Sequence, residues 1–229
     1  MKNNVDNFFQ NYEERVKVHF KALLFDSLKR SKEDLDHVIE RSTVSINRKS
    51  AHWTSYNNPY VARASAYEAK GDLENAIKDY DSAIREFPED DMNYYLRGKI
   101  NGVKGDYDRA ITDFETSFAK SSGEDGVDQF LTGLAYLGKG DFNRALIDCD
   151  KALAGMQGDH EIGHAEVQAY LIRGFLHGRN GDYEKAIADF KAVLQNKPNQ
   201  RYVRYGQYDN DRGFREYAQH ALEVLAARK

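Results

Sequence analysis

A seven-residue block occurs four times in this chain: Gly71-Asp72-Leu73-Glu74-Asn75-Ala76-Ile77, Gly105-Asp106-Tyr107-Asp108-Arg109-Ala110-Ile111, Gly140-Asp141-Phe142-Asn143-Arg144-Ala145-Leu146 and Gly181-Asp182-Tyr183-Glu184-Lys185-Ala186-Ile187. The glycines stand 34, 35 and 41 positions apart, so the unit is about 34 residues long with a one-residue and a seven-residue insertion. A repeat of this length is one supersecondary element that must stack on its neighbours to bury an apolar face. The block also says what the element is. Glycine takes the left-handed conformation that closes one helix, and the following aspartate caps the next. The unit is therefore helix, turn, helix.

Each helix has its own pattern. Before the glycine, Tyr60, Ala64 and Tyr67 recur at helical spacing, matched by Tyr94 and Gly98, by Gly133 and Tyr136, and by Tyr170, Gly174 and His177. After it, Ala76, Tyr80 and Ala83 are matched by Ala110, Phe114 and Ser117, by Ala145, Cys149 and Ala152, and by Ala186, Phe190 and Val193. The recurrent alanine lets two helices approach closely, and the ring or thiol four residues later fills the space beside it. Pro88 and Pro198 end two of the units, where a helix cannot continue.

These four in-register copies resemble the tetratricopeptide-repeat family over roughly residues 57–200. Proline is replaced by Ser122 and Gln157 at two unit ends, and the usual early tryptophan is tyrosine or Gln129. The resemblance implies an all-α, right-handed superhelical solenoid of antiparallel helix pairs. The expected layout is an N-terminal helical flank over 1–56, units at 57–90, 91–124, 126–159 and 167–200, and a degenerate fifth unit or capping helix over 201–229.

The flanks suit an array that must cover its ends. Val5, Phe8, Phe9, Tyr12, Val16, Phe20, Leu23 and Leu24 recur at steps of three and four, which predicts an amphipathic helix to about Arg30. A second helix, capped by Ser31 and carrying Leu35, Val38 and Ile39, fades near Arg48. At the other end Phe214, Tyr217, Ala218, Ala221, Leu222 and Leu225 form one stripe. The glycine-rich insertion within 155–164 is either a loop or a lengthened helix.

Little here points to chemistry. The net charge of −4 arises from interspersed residues of both signs, so no global field would attract nucleic acid or anionic lipid. One cysteine, Cys149, excludes an intrachain disulfide, and it occupies a core position of its unit, where an inert buried thiol is expected. His160 and His164 lie four apart but between glycines, with no third metal ligand suggested. No phosphate-binding, nucleophile-elbow or zincin motif occurs. No catalytic residue, metal or cofactor is expected. The start of the chain has no apolar run of the kind that targets or spans membranes, and a cytoplasmic location is expected. Arg201-Tyr202-Val203-Arg204-Tyr205-Gly206-Gln207-Tyr208 mixes arginine with tyrosine, as single-stranded nucleic-acid sites do. Tyrosine is also the ordinary core ring of these repeats, and nucleic acid is the less favoured partner.

A second regularity concerns charge. Arg63 and Asp79, Arg97 and Asp113, and Arg173 and Asp189 are each 16 residues apart, one on each helix of a unit, while the third unit keeps Asp148 but has Thr132. Facing positions would make these structural ion pairs.

The resemblance also implies where a partner would lie, since first helices line the concave face of the family. The inward residues would be Val61, Ser65 and Glu68, then Tyr95, Lys99 and Gly102, then Phe130, Leu134 and Leu137, then Leu171, Phe175 and Gly178, with Arg179 beside them. The lysine and asparagine clamp of the co-chaperone branch is missing, its places being taken by Val61, Ser65 and Leu96. Tyr95, Lys99, Phe130, Leu134, Leu137, Leu171, Phe175 and Arg179 are thus expected to bind a protein or peptide partner, making the chain an adaptor or scaffold. An apolar surface of this kind calls for a cover. A partner segment, the chain's own N-terminal helix or a second copy in a homodimer would each serve. A nucleic-acid-associated regulatory role is the reading from another class.

Overall fold

The structure is a computed structural model that describes residues 5–13, 32–48, 53–121, 126–156, 163–195 and 208–228. Every regular element among the described residues is helical, as expected of an α-helical repeat of the solenoid class. The chain forms two compact units, Phe20–Glu124 (unit I) and Met1–His19 with Asp125–Lys229 (unit II).

Unit I contains α2 (Lys32–Asn47), a 3₁₀ turn at Ser55–Asn57, α3 (Pro59–Ala69), α4 (Leu73–Glu86), α5 (Asp91–Lys104) and α6 (Tyr107–Lys120). Asn58 opens α3 by accepting a hydrogen bond from the Tyr60 N–H at 3.0 Å, with Pro59 in the first turn. The Gly-Asp pairs act as their chemistry requires. Gly71 and Gly105 have φ of 79° and 85°, while the Asp72 and Asp106 carboxylates accept from the N–H groups of Asn75 and Arg109. An L residue is strained at such φ. Ala64, Ala76, Tyr80 and Ile100 are at most 1% exposed and form the core of the first helix pair and its neighbour. α5 meets α6 at Gly98, where a Cβ would stand 2.9 Å from the Phe114 ring.

Unit II contains α1 (residues 5–13), α7 (Gly126–Lys139), α8 (Phe142–Gly155), α9 (Gly163–Asn180), α10 (Tyr183–Gln195) and α11 (Tyr208–Ala226). Gly140 and Gly181 repeat the left-handed turn. Gly174 repeats the close approach of Gly98, its absent Cβ falling 2.9 Å from the Phe190 ring. In α11 the stripe of Phe214, Tyr217, Ala218, Ala221 and Leu225 is buried, facing α10 and α9. α9 has 18 residues against 14 in α5 and α7, so part of the glycine-rich insertion lengthens a helix. Residues 157–162 lie outside the described residues, as do Ser31 and the stretch to Arg30 predicted to continue α1.

Candidate interaction surfaces

The arginine and aspartate pairs form a regular system. In each, Nε and Nη2 of one guanidinium donate to both oxygens of one carboxylate: Arg63 to Asp79 at 2.8 and 2.7 Å, Arg97 to Asp113 at 3.1 and 2.7 Å, and Arg173 to Asp189 at 3.0 and 2.7 Å. The three aspartates are buried, so this fork supplies the charged donors that a carboxylate removed from water requires. The remaining Nη1 reaches backward along the chain. Arg97 donates through it to Asp81 of α4 at 2.7 Å, and Arg173 to Asp150 of α8 at 2.8 Å. Arg63 donates to Thr43 Oγ1 of α2 at 2.9 Å. α2 therefore occupies the place that the second helix of a preceding repeat would take. The third unit, with Thr132 in place of arginine, satisfies Asp148 differently, through Gln129 Nε2 at 2.8 Å and Lys151 Nζ at 3.3 Å. Asp81, Asp150, Thr43 and Gln129 escaped the sequence reading, although the spacing of Asp79 from Asp81 and of Asp148 from Asp150 was a signal for two of them.

The residues read as inward-facing differ between units. In unit I they are polar or half-buried. Glu68 is buried, its carboxylate 3.5 Å from Tyr80 Oη, which lies 3.3 Å from Ser65 Oγ. Burial pushes the Glu68 carboxyl above the usual range, against the opposing pull of Lys99. Lys99 stands 5.9 Å from the ring of Tyr95 on the same helix.

In unit II the corresponding side chains are covered. Phe130, Leu134, Leu137, Leu171 and Phe175 are all under 5% exposed. They were expected to lie on an apolar face that calls for a cover, from a partner segment, the chain's own N-terminal helix or a second copy. α1 covers part of it. Phe9, 1% exposed, packs its ring 6.1 Å from that of Phe175 and so close to Gly178 that a Cβ there would fall 2.1 to 2.7 Å from three ring carbons. Phe8 and Tyr12 stack on Tyr217 of α11, at centroid distances of 5.6 and 3.5 Å. Polar contacts frame the helix: Arg179 Nε donates to Glu13 at 3.3 Å, and the Tyr183 hydroxyl to Asp6 at 3.3 Å. Arg179, exposed at one edge, also lies 3.7 Å above the Phe142 ring.

Other sequence candidates fall elsewhere. His160 lies outside the described residues, as does the arginine and tyrosine stretch through Gln207, and the side chains of His164 and Tyr208 are not described. Cys149 is fully buried, and burial holds its thiol well above the usual range, a state that disfavours the nucleophilic thiolate. Among the described residues no group of three or more histidine, cysteine or acidic side chains is arranged to hold a metal, and no helix is long and apolar enough to cross a membrane.

Comparison with known proteins agrees with the geometry. Two tetratricopeptide-repeat family profiles match, one over residues 61–126 and one over 167–200. No curated protein matches the chain in sequence. Among solved structures, a fragment of MamA from Desulfovibrio magneticus RS-1 is 19% identical with a TM-score of 0.59, over 83% of this chain and 94% of that one. YrrB, a repeat protein of the same kind, is 20% identical with a TM-score of 0.54, over 82% and 93%. A tetratricopeptide-repeat protein from Parabacteroides merdae is 17% identical with a TM-score of 0.55, over 98% of both chains. At such identities the likeness speaks for the fold alone. With four copies of the helix, Gly-Asp turn and helix in one register, and two repeat profiles matching it, this chain is a tetratricopeptide-repeat protein.

Proposed function

We propose that this chain acts by holding a protein segment, without catalysis, as an adaptor or scaffold. In unit II the binding surface is the inner face of its first helices, with Phe130, Leu134, Leu137, Leu171, Phe175 and Arg179; in unit I, taken by itself, Tyr95 and Lys99 are the corresponding candidates. One observation carries this reading. An amphipathic helix, α1, is seated on α9, its Phe9 ring filling the space above Gly178 and its Glu13 meeting Arg179. A face that receives one helix by ring-into-hole packing and an edge charge has the features of a helix-in-groove site. That YrrB is described as having a peptide-binding site supports the same kind of role. On this reading α1 is the resident occupant, and a partner helix of like chemistry exchanges with it.

A chain beginning at residue 20, titrated with a labelled peptide of residues 1–19, tests the proposal. Saturable binding that Gly178→Leu abolishes is expected. If the shortened chain remains helical and the peptide does not bind, the surface is not a helix site and the reading fails.

A further inference from the structure

Unit I contains a cavity of about 830 Å³ that the inner-face reading leaves unexplained. It lies where the 3₁₀ turn, the start of α3 and the α4–α5 connection meet. Its apolar wall comes from Val61, Phe87 and Met92, with Tyr56 at its side. Tyr56 is fully exposed and Met92 is 51% exposed, unusual for large apolar side chains beside a concave surface. The volume is that of a small-ligand or short-peptide site.

The charge of this wall has one sign. Glu86, Glu89, Asp90 and Asp91 line it, and among the described residues no lysine or arginine does. Glu89 reaches away to Lys120 at 3.2 Å, and Asp90 is occupied in capping α5 through the Met92 N–H. Burial, and then the neighbouring Asp91, push the Asp90 carboxyl upward against that hydrogen bond. A cation in the cavity would relieve both.

Asn93, also in the wall, is 1% exposed, and its unpartnered Nδ2 is sealed from the cavity, so it offers an occupant no donor. The apolar wall of Val61, Phe87 and Met92 calls for an apolar group beside the charge, which a bare cation lacks. A bare metal ion also fits poorly, since no three acidic groups here are arranged to hold one. Nucleic acid would be repelled by the carboxylates.

We propose that this cavity docks a short basic segment of another protein. Its lysine or arginine side chains meet Glu86 and Asp91. An apolar side chain enters between Tyr56 and Met92. The site is separate from the face of unit II and would let the chain hold two different partners.

The test uses the full chain and two labelled hexapeptides, Lys-Leu-Arg-Ala-Lys-Leu and its counterpart Glu-Leu-Asp-Ala-Glu-Leu, followed by fluorescence anisotropy. The basic peptide is expected to bind roughly tenfold or more tightly than the acidic one, with an affinity that falls as salt rises. Glu86→Gln combined with Asp91→Asn should remove most of that preference. Tyr56→Ala, at a fully exposed position that cannot unfold the unit, should weaken the basic peptide severalfold. Equal affinity for the two peptides, or affinity indifferent to the carboxylate and Tyr56 variants, overturns the proposal. So does sedimentation showing a dimer that the carboxylate variant dissociates, since the occupant would then be a second copy.

Discussion

The ring of Phe9 rests on the bare α-carbon of Gly178, with no room for even one carbon between them: a Cβ at that glycine would lie 2.1 Å from Cζ. Glycine costs roughly 1 kcal/mol in a helix interior relative to alanine, and here it makes α9 able to accept α1. Gly178→Ala should therefore leave α9 helical and loosen α1, costing roughly 1 to 3 kcal/mol through overpacking. Phe9→Ala should cost roughly 3 kcal/mol. Because both act on one contact, the double variant should lose less than the sum of the two, which a double-mutant cycle by urea unfolding measures. Strict additivity would mean the contact is not formed in solution.

Arg97 joins three helices, and its two carboxylates should behave unequally. Asp113 is 5% exposed at its side chain and Asp81 41%. Arg97→Ala leaves Asp113 buried without its fork, and a loss of roughly 2 to 4 kcal/mol is expected, below the range for a fully buried pair because the guanidinium is partly wet. Its coupling to Asp81 should be under about 1 kcal/mol, as for exposed pairs. Arg97→Lys should recover little, since an ammonium cannot donate to both oxygens in the same plane. Equal coupling energies to the two aspartates would contradict this assignment.

Glu68 supplies a pH dependence whose sign follows from its surroundings. Burial raises its carboxyl in the folded chain, so the folded state holds the proton more tightly than the unfolded state does. Its contribution is therefore fully present below the ordinary carboxylate pKa and is lost as pH rises through the raised value. Glu68→Gln keeps the shape and removes the titration. Melting temperatures compared between pH 4 and 7 should show the wild type losing ground to Glu68→Gln as pH rises. A melting temperature of Glu68→Gln that, relative to the wild type, stays constant or falls as pH rises would reverse the assignment.

The repeat was legible because it is written in local chemistry. Gly71 and Asp72 specify a left-handed stop and a cap from neighbouring residues alone, and the same two residues recur three more times at nearly fixed spacing. The step of 16 between Arg97 and Asp113 likewise reflects the two helices of one unit, whose relative register the short Gly-Asp turn constrains. Glycines at positions 98 and 174 could be seen to match, and their reason, a phenylalanine ring at 2.9 Å, lies within the same unit.

What the sequence did not disclose depends on segments far apart in the chain. The step from Arg97 back to Asp81 and from Arg63 to Thr43 arises only when one repeat is laid against the element before it, and the identity at the receiving end changes from aspartate to threonine. Leu134 and Phe175 carry the same apolar side chains whether a face is open or covered, so composition could not distinguish the two. The cover on Phe175 comes from Phe9, more than 160 positions earlier. Local periodicity specifies which face of a helix is apolar, whereas the tertiary packing decides which other helix excludes water from it.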